Sequence, residues 1–156
     1  LYMKKYMKTV LIVLVCIAIT AIPAAFILTN FVLYTPLYDR IPEIKNMGNC
    51  TKIELQYSDL SGEGQGQIKT IILKEKEEIK ALEDRLLNTM CRRGRVESRD
   101  SGTNVTVTLH FLNGDSAAMQ TFSCGAVRIS KKDYVTNNRF GTYLSRFVWE
   151  KSALAS

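Results

Sequence analysis

The sequence predicts an α+β domain attached to an N-terminal apolar helix. Three patterns indicate this class: a long uncharged run lies near the N-terminus, several later segments alternate apolar and polar residues, and two segments repeat apolar residues at helical spacing. After the apolar run, the predicted order is β-β-α-β-β-β-α. Helices should cover one face of an antiparallel sheet and form a two-layer domain.

The apolar run Thr9–Leu33 contains no charged residue. It is about 25 residues long and would extend ~37 Å as a helix, enough to cross a hydrocarbon core of ~30 Å. A domain of roughly 120 residues has no core large enough to bury a helix that is apolar on every side. We therefore predict a transmembrane anchor over residues 9–34, with a kink at Pro23 that a membrane helix tolerates.

The orientation of this anchor follows from its flanks. Lys4, Lys5 and Lys8 lie before it without an acidic residue, whereas the opposite flank has mixed charges. The positive-inside rule places residues 1–8 in the cytoplasm and the residues after the anchor, 35–156, outside the cell membrane. The prediction is therefore a single-pass membrane protein with a lipid bilayer as its first partner.

A cleaved secretory signal peptide is the alternative interpretation of the same segment. It shares the order of basic residues followed by an apolar core, and it would leave a secreted domain. The apolar run is longer than a typical signal core of ~7–15 residues. The small-residue candidate at Ala24 and Ala25 is followed by further apolar residues, which favours an uncleaved anchor.

Beyond the anchor, residues 35–47 contain two prolines and scattered charges, which predicts a short stalk. Residues 48–156 should form the extracytoplasmic domain. Thr51–Ser58 alternates apolar and polar residues and predicts a half-buried strand. The glycine-rich segment Ser61–Gln67 predicts a turn, and Ile68–Lys74 predicts a second strand that forms a hairpin with the first.

The segment Lys76–Cys91 predicts an amphipathic helix. Its apolar residues recur at helical spacing, its glutamates lie in the first turn, and arginines follow its end. The apolar residues expected to face the core are Ile79, Leu82, Leu86 and Met90.

A second hairpin is predicted from Val105–Phe111 and Ser116–Cys124. The first segment alternates apolar and polar residues, and Asn113 and Gly114 lie between the two. An Asn-Gly pair favours a type I′ turn, which needs positive φ at both central residues.

The C-terminal part predicts one more strand and one more helix. Val127–Ile129 begins a short strand, Asp133–Asn138 reads as a polar loop, and Gly141–Lys151 forms a closing helix. That helix should place Tyr143, Leu144, Phe147 and Val148 toward the core.

Three cysteines, Cys50, Cys91 and Cys124, lie in the predicted outer domain, while Cys16 lies in the membrane helix. An oxidising compartment permits one disulfide, and we predict that it joins Cys91 to Cys124. Cys50 would then remain free and could link two copies in a homodimer. The alternative is that all three thiols are reduced and buried.

The residues that carry chemistry do not form a catalytic or metal-binding pattern in the sequence. The only histidine, His110, should lie ~20 Å from Cys124 across the second hairpin, too far for a nucleophile and its base. The cysteines have no zinc-site spacing, and the acidic residues of the first helix alternate with basic ones on an exposed face. We predict no cofactor and no enzymatic activity.

A basic run between the first helix and the second hairpin is the main surface feature. It contains Arg92, Arg93, Arg95 and Arg99, which could bind an anionic partner such as a lipid headgroup or a wall polymer. The alternative is a solvated loop whose positive charge is reduced by two acidic neighbours. Three of the 21 basic residues lie in the cytoplasmic flank, which leaves 18 against 15 acidic residues and argues against nucleic-acid binding.

A resemblance to other proteins rests on four segments: MKKYMKTVLIVLV, TKIELQYS, KEEIKALEDRLLN and VTVTLHFLNGD. The chain resembles small uncharacterised membrane-anchored envelope proteins of Gram-positive bacteria, which have one signal-like helix and a compact α+β domain. The resemblance implies architecture and no activity. The expected function is an extracytoplasmic binding or sensing module with a protein or anionic envelope partner, and the alternative is a small envelope enzyme or enzyme inhibitor.

Overall fold

A computed structural model describes residues 2–59, 68–95 and 102–154 of the chain. It contains an N-terminal apolar helix, an antiparallel eight-stranded sheet and two further helices, which confirms the α+β class. The α-helices are α1 (Tyr2–Ile27), α2 (Lys76–Leu87) and α3 (Phe140–Leu154). The strands are β1 (Thr35–Pro36), β2 (Cys50–Asp59), β3 (Ile68–Leu73), β4 (Met90–Arg93), β5 (Thr103–Phe111), β6 (Ser116–Phe122), β7 (Ala126–Ile129) and β8 (Lys132–Thr136). A π-helical turn (Leu28–Val32) and two 3-10 helices (Leu37–Asp39 and Pro42–Asn49) complete the elements.

The strands lie in the order β1-β4-β8-β7-β6-β5-β2-β3. Every neighbouring pair is antiparallel. The predicted hairpins β2–β3 and β5–β6 are both present. The predicted order β-β-α-β-β-β-α is nevertheless incomplete, because it lacks β1, β4 and β8. The predicted turn Ser61–Gln67 lies outside the described residues.

The N-terminal helix α1 projects away from the domain. From Tyr6 to Ile27 it is long and apolar enough to cross a membrane, a property that membrane anchors share with signal sequences. None of the large apolar side chains in this segment is buried, and Ile17, for example, is 55% exposed. Exposure of so much apolar surface to water is unfavourable, so lipid or another apolar partner must cover this helix.

The prediction of a stalk over residues 35–47 is wrong, because this segment forms part of the domain. Its first two residues pair with β4, and Leu37, Ile41 and Ile44 are only 0%, 3% and 1% exposed. The prolines that suggested a stalk lie in β1 and at the start of a 3-10 helix. The chain therefore passes from the apolar helix into the core of the domain without a linker.

Helix α2 ends at Leu87, not at the predicted Cys91. Its last turn is closed by two side chains that donate to backbone carbonyls: the Asn88 amide to Asp84 at 2.7 Å, beside the backbone N–H of Asn88, and the Thr89 hydroxyl to Arg85 at 2.7 Å. The bond from Thr89 satisfies an acceptor that a continuing helix would have used. The chain then turns into β4, which explains why helical spacing alone placed the boundary too late.

The turn between β5 and β6 differs from the predicted type I′ turn. Only Gly114 has positive φ, at +87°, and its N–H donates to the carbonyl of Phe111 at 3.0 Å. The Asn113 carboxamide oxygen accepts from the N–H of Asp115 at 3.1 Å. This is a type I turn followed by a left-handed glycine, a common longer hairpin loop.

A two-residue turn joins β7 to β8, and most of the segment Asp133–Asn138, which was predicted to be a polar loop, belongs to the strand β8. Ser130 and Lys131 have φ of +47° and +66°, the signs that a type I′ turn requires. Neither is an Asn or a Gly, so the usual sequence signal is missing. The tertiary pairing of β8 with both β7 and β4 holds these residues in the strained region.

The core lies on one face of the sheet, beneath α2 and α3. The register brings apolar side chains of β2, β5 and β6 into rows, such as Leu55 opposite Val107 and Val107 opposite Met119. The predicted core residues of both helices are confirmed in part. Ile79, Leu82, Leu86, Leu144 and Val148 are buried, whereas Tyr143 and Phe147 pack at the edge of the core and Met90 belongs to β4.

Replacing Leu37 by Ala tests whether the segment after the apolar helix belongs to the core. We expect Leu37→Ala to lower the free energy of unfolding by about 2–5 kcal/mol, because it leaves a cavity in a fully buried site. Denaturant unfolding followed by the fluorescence of Trp149, the single tryptophan, measures this change.

The control is Leu112→Ala, at a side chain that is 77% exposed, which should change stability by no more than about 0.5 kcal/mol. Equal stability of the two variants would mean that residues 35–47 are a solvated stalk after all.

Candidate functional site

The candidate site with the clearest geometry lies where the apolar helix meets the sheet. The π-helical turn at the end of this helix contacts β4, which carries Arg92 and Arg93. Because neighbouring residues of a strand point to opposite faces, the two arginines approach the helix end from the two sides of the sheet. Both side chains are half-buried.

Aromatic rings and a backbone carbonyl hold these two guanidinium groups. The Arg92 Cζ atom lies 5.4 Å from the centroid of the Tyr34 ring, and the Arg93 Cζ atom lies 5.7 Å from that of Phe31. Arg92 Nη1 also donates to the carbonyl oxygen of Phe31 at 3.5 Å. A cation at the C-terminal end of a helix is favoured by the helix dipole, and the rings add cation–π attraction.

The other arginines of the predicted patch stand apart from this contact. Arg95 follows β4 and is exposed, and Arg99 lies outside the described residues. A further arginine that the sequence did not single out, Arg40, belongs to the same edge of the sheet. Its Nη2 donates to the Thr35 hydroxyl at 3.2 Å, and its Cζ lies 5.5 Å from the Tyr134 ring. The sequence did not single out Arg40 because it lies in residues 35–47, which were predicted to be a stalk.

The second candidate site is the face of the sheet opposite the helices. The centre of this face is polar and exposed or half-exposed, as expected from strand alternation, whereas Ile68 and Ile72 of β3 place exposed apolar side chains at its edge. The open face is defined here by its central residues: Lys52, Glu54, Gln56 and Ser58 on β2, Thr106, Thr108 and His110 on β5, Ser116, Ala118 and Gln120 on β6, Arg128 on β7 and Asp133 on β8.

One ion pair and one group of three residues organise the charges on the open face. Arg128 and Asp133 form a bidentate ion pair with N–O distances of 2.7 and 3.2 Å, which raises the pKa of Arg128 chiefly through its hydrogen bond to Asp133. Glu54 lies between Lys52 and His110, with Oε2 3.9 Å from Nζ and 3.8 Å from Nε2. Among the described side chains, His110 Nε2 is buried without a hydrogen-bond partner.

The predicted distance between His110 and Cys124 agrees with the register. His110 pairs with Ser116 at the start of β6, whereas Cys124 follows the end of that strand. These two side chains therefore do not form a site. Within residues 2–59, 68–95 and 102–154, no three His, Cys, Asp or Glu side chains are grouped as metal ligands.

The predicted disulfide between Cys91 and Cys124 is not formed, and this is a correction. All four cysteines are free and far apart. Cys91 is a fully buried residue of β4, and Cys124 is exposed in the turn before β7. The prediction assumed that Cys91 ended α2, but the shorter helix and the new strand move it into the core.

Burial controls the chemistry of two thiols. Desolvation raises the pKa of the Cys91 thiol, and nearby Arg40 only partly opposes this effect. Desolvation also raises the pKa of Cys50, whose Sγ donates to the carbonyl of Lys52 at 3.5 Å. A raised pKa keeps both groups protonated and makes them poor nucleophiles. The homodimer through Cys50 stays a prediction, and this environment disfavours rapid disulfide formation.

Comparisons with protein-family models, with curated proteins and with solved structures found no match to this chain. The geometry of its own residues is therefore the basis for any functional argument.

Alkylation by iodoacetamide should distinguish the three thiols of the domain. We expect Cys124 to react fast, Cys50 to react slowly, and Cys91 to react only after unfolding. Because burial raises the pKa of Cys50, its rate should still be rising with pH above 9.0, the ordinary thiol value. Mass spectrometry of the alkylated chain reports each site.

Cys124→Ser serves as the control and should remove only the fast phase. Recovery of a Cys91–Cys124 linked peptide under non-reducing conditions would restore the disulfide prediction.

Proposed function

We propose that the chain is a single-pass membrane protein whose outer domain is a binding module without catalytic activity. In this proposal α1 and the π-helical turn cross the cell membrane, and the domain lies directly on the non-cytoplasmic surface of that membrane. The open face of the sheet binds a polar partner.

One observation supports the membrane arrangement most strongly. The apolar helix ends against β4, and the chain then enters the core at Leu37, with only a few residues between. A signal peptide that is removed would not be expected to contribute its last turn to the contacts of a folded domain. The aromatic residues Phe31 and Tyr34 at this junction suit a lipid–water interface.

The composition of the open face supports the kind of partner. A face that bound a large apolar surface would itself carry a contiguous apolar patch. Instead, its central rows contain threonine, glutamine and charged residues, such as Gln56 opposite Thr106 and Thr106 opposite Gln120. Hydroxyl and carboxamide groups of this kind bind a polar protein surface or a polar envelope polymer through hydrogen bonds.

The alternative is a small envelope enzyme or an enzyme inhibitor. An inhibitor would use the same open face, and only the identity of its partner would distinguish it. An enzyme needs a nucleophile or a base with a suitably shifted pKa, and the described thiols with a resolved shift, Cys50 and Cys91, are shifted toward the inactive protonated form. We therefore favour binding over catalysis.

Labelling of intact cells tests the orientation. A membrane-impermeant maleimide should label the exposed Cys124 without permeabilisation, because the proposal places the domain outside. The matched control is the double variant Lys8→Cys, Cys124→Ser, which should be labelled only after permeabilisation. Reversed labelling would exclude the proposed orientation, and labelled protein in the medium would indicate a cleaved signal peptide.

Site-specific photo-crosslinking tests the open face. A photoreactive residue in place of the exposed Gln56 should form partner adducts in native membranes at least several-fold more than one in place of Lys80. Lys80 is an exposed position of α2, on the helix side of the domain. Equal adduct formation at the two positions would remove the open face as the binding surface.

A further inference from the structure

The arginines beside the anchor have a fixed depth relative to the apolar helix. The uncharged apolar run ends at Leu33, so a membrane that covers it would have its lipid–water boundary close to Tyr34. The guanidinium groups of Arg92 and Arg93 lie within 5.4 and 5.7 Å of the rings of Tyr34 and Phe31. These contacts place both cations at the level of the phospholipid headgroups.

The chemistry of these side chains fits a phosphate group. A guanidinium presents five N–H donors in a planar fork that matches phosphate oxygens, and Arg92 directs one of them to the Phe31 carbonyl. The exposed Arg95 adds a third cation one residue beyond Gly94. The nearby carboxylate of Asp39 is engaged by Lys45, with 3.7 Å between Oδ1 and Nζ.

We propose that Arg92, Arg93 and Arg95 form a binding site for the phosphates of anionic phospholipids in the outer leaflet. The site lies at the β4 edge of the sheet, where Arg92 is on the same side as the open face but beyond the residues that define it. This inference rests on the proposed membrane anchorage. A bound headgroup would neutralise the arginines and hold the sheet at a defined angle to the membrane.

Depth favours a lipid over a wall polymer that carries the same phosphate chemistry. A polymer in the surrounding solution reaches exposed positions, whereas Arg92 and Arg93 are half-buried against the anchor. Headgroups are the anions present at that level. Each basic residue near an anionic surface adds to the attraction, and salt screens it.

The test uses the full chain in nanodiscs that contain phosphatidylcholine with a minor share of phosphatidylglycerol. The measured quantity is the phosphatidylglycerol that stays with the chain after mild detergent extraction, at low and high salt. We expect salt-sensitive enrichment for the unmodified chain. The double variant Arg92→Gln, Arg93→Gln should reduce the apparent affinity by about 30-fold.

The matched control is Lys80→Gln with Arg146→Gln, which removes the same charge from exposed positions on α2 and α3 and should keep the enrichment. Because Arg92 and Arg93 also hold the anchor against β4, thermal unfolding of each variant is measured alongside. If the double variant unfolds at a lower temperature than the unmodified chain, the variant Arg95→Gln tests the proposal instead, since the exposed Arg95 side chain can be shortened without disturbing β4. It should lower the enrichment about fivefold.

Two results would overturn the inference. One is full enrichment in a double variant, or in Arg95→Gln, that unfolds like the unmodified chain. The other is saturable binding of soluble poly(glycerol phosphate) without phosphatidylglycerol enrichment, which would assign the arginines to a polymer. Failure of the chain to enter nanodiscs would instead contradict the membrane anchorage, so the two proposals fail in distinguishable ways.

Discussion

The buried apolar core lies on one face of the eight-stranded sheet, and the helices α2 and α3 cover that face. An antiparallel sheet gains most of its stability by excluding water from such a face, while the opposite face can remain solvated. The position of both helices, the burial of Leu37, Ile41 and Ile44 at the edge of the core, and the polar character of the open face all follow from this one-sided burial. The binding surface we propose is the face that the core does not use.

The junction between the apolar helix and the sheet has a second consequence. Since residues 35–47 fold into the domain, the domain cannot move freely relative to the helix as it would on a flexible linker. The contacts of Arg92 and Arg93 with the end of the helix strengthen this attachment. In the function we propose, a domain held in this way presents its open face at a fixed orientation to its partner.

The sequence predicted the elements whose pattern is local and strongly periodic. The strand β2, both hairpin pairings and the core face of α2 were correct, because strand alternation and helical spacing are set by neighbouring residues. It missed β1 and β4, whose pairing partners are distant, and β8, whose turn lacks the usual Asn or Gly, and it assigned Met90 to a helix because its spacing from Leu86 fits one. The predicted disulfide failed with that boundary, since the location of Cys91 depended on it.

The chain alone determined that it begins with a helix fit for lipid, that an α+β domain follows, and that basic residues cluster after α2, because composition and periodicity record these directly. Only the tertiary structure decided that residues 35–47 belong to the core, that Ser130 and Lys131 form a tight turn, and that Arg92 and Arg93 contact the end of the apolar helix. Each of these depends on contacts between residues far apart in the chain. Local propensity is too weak to specify such contacts, and burial of the shared core selects them.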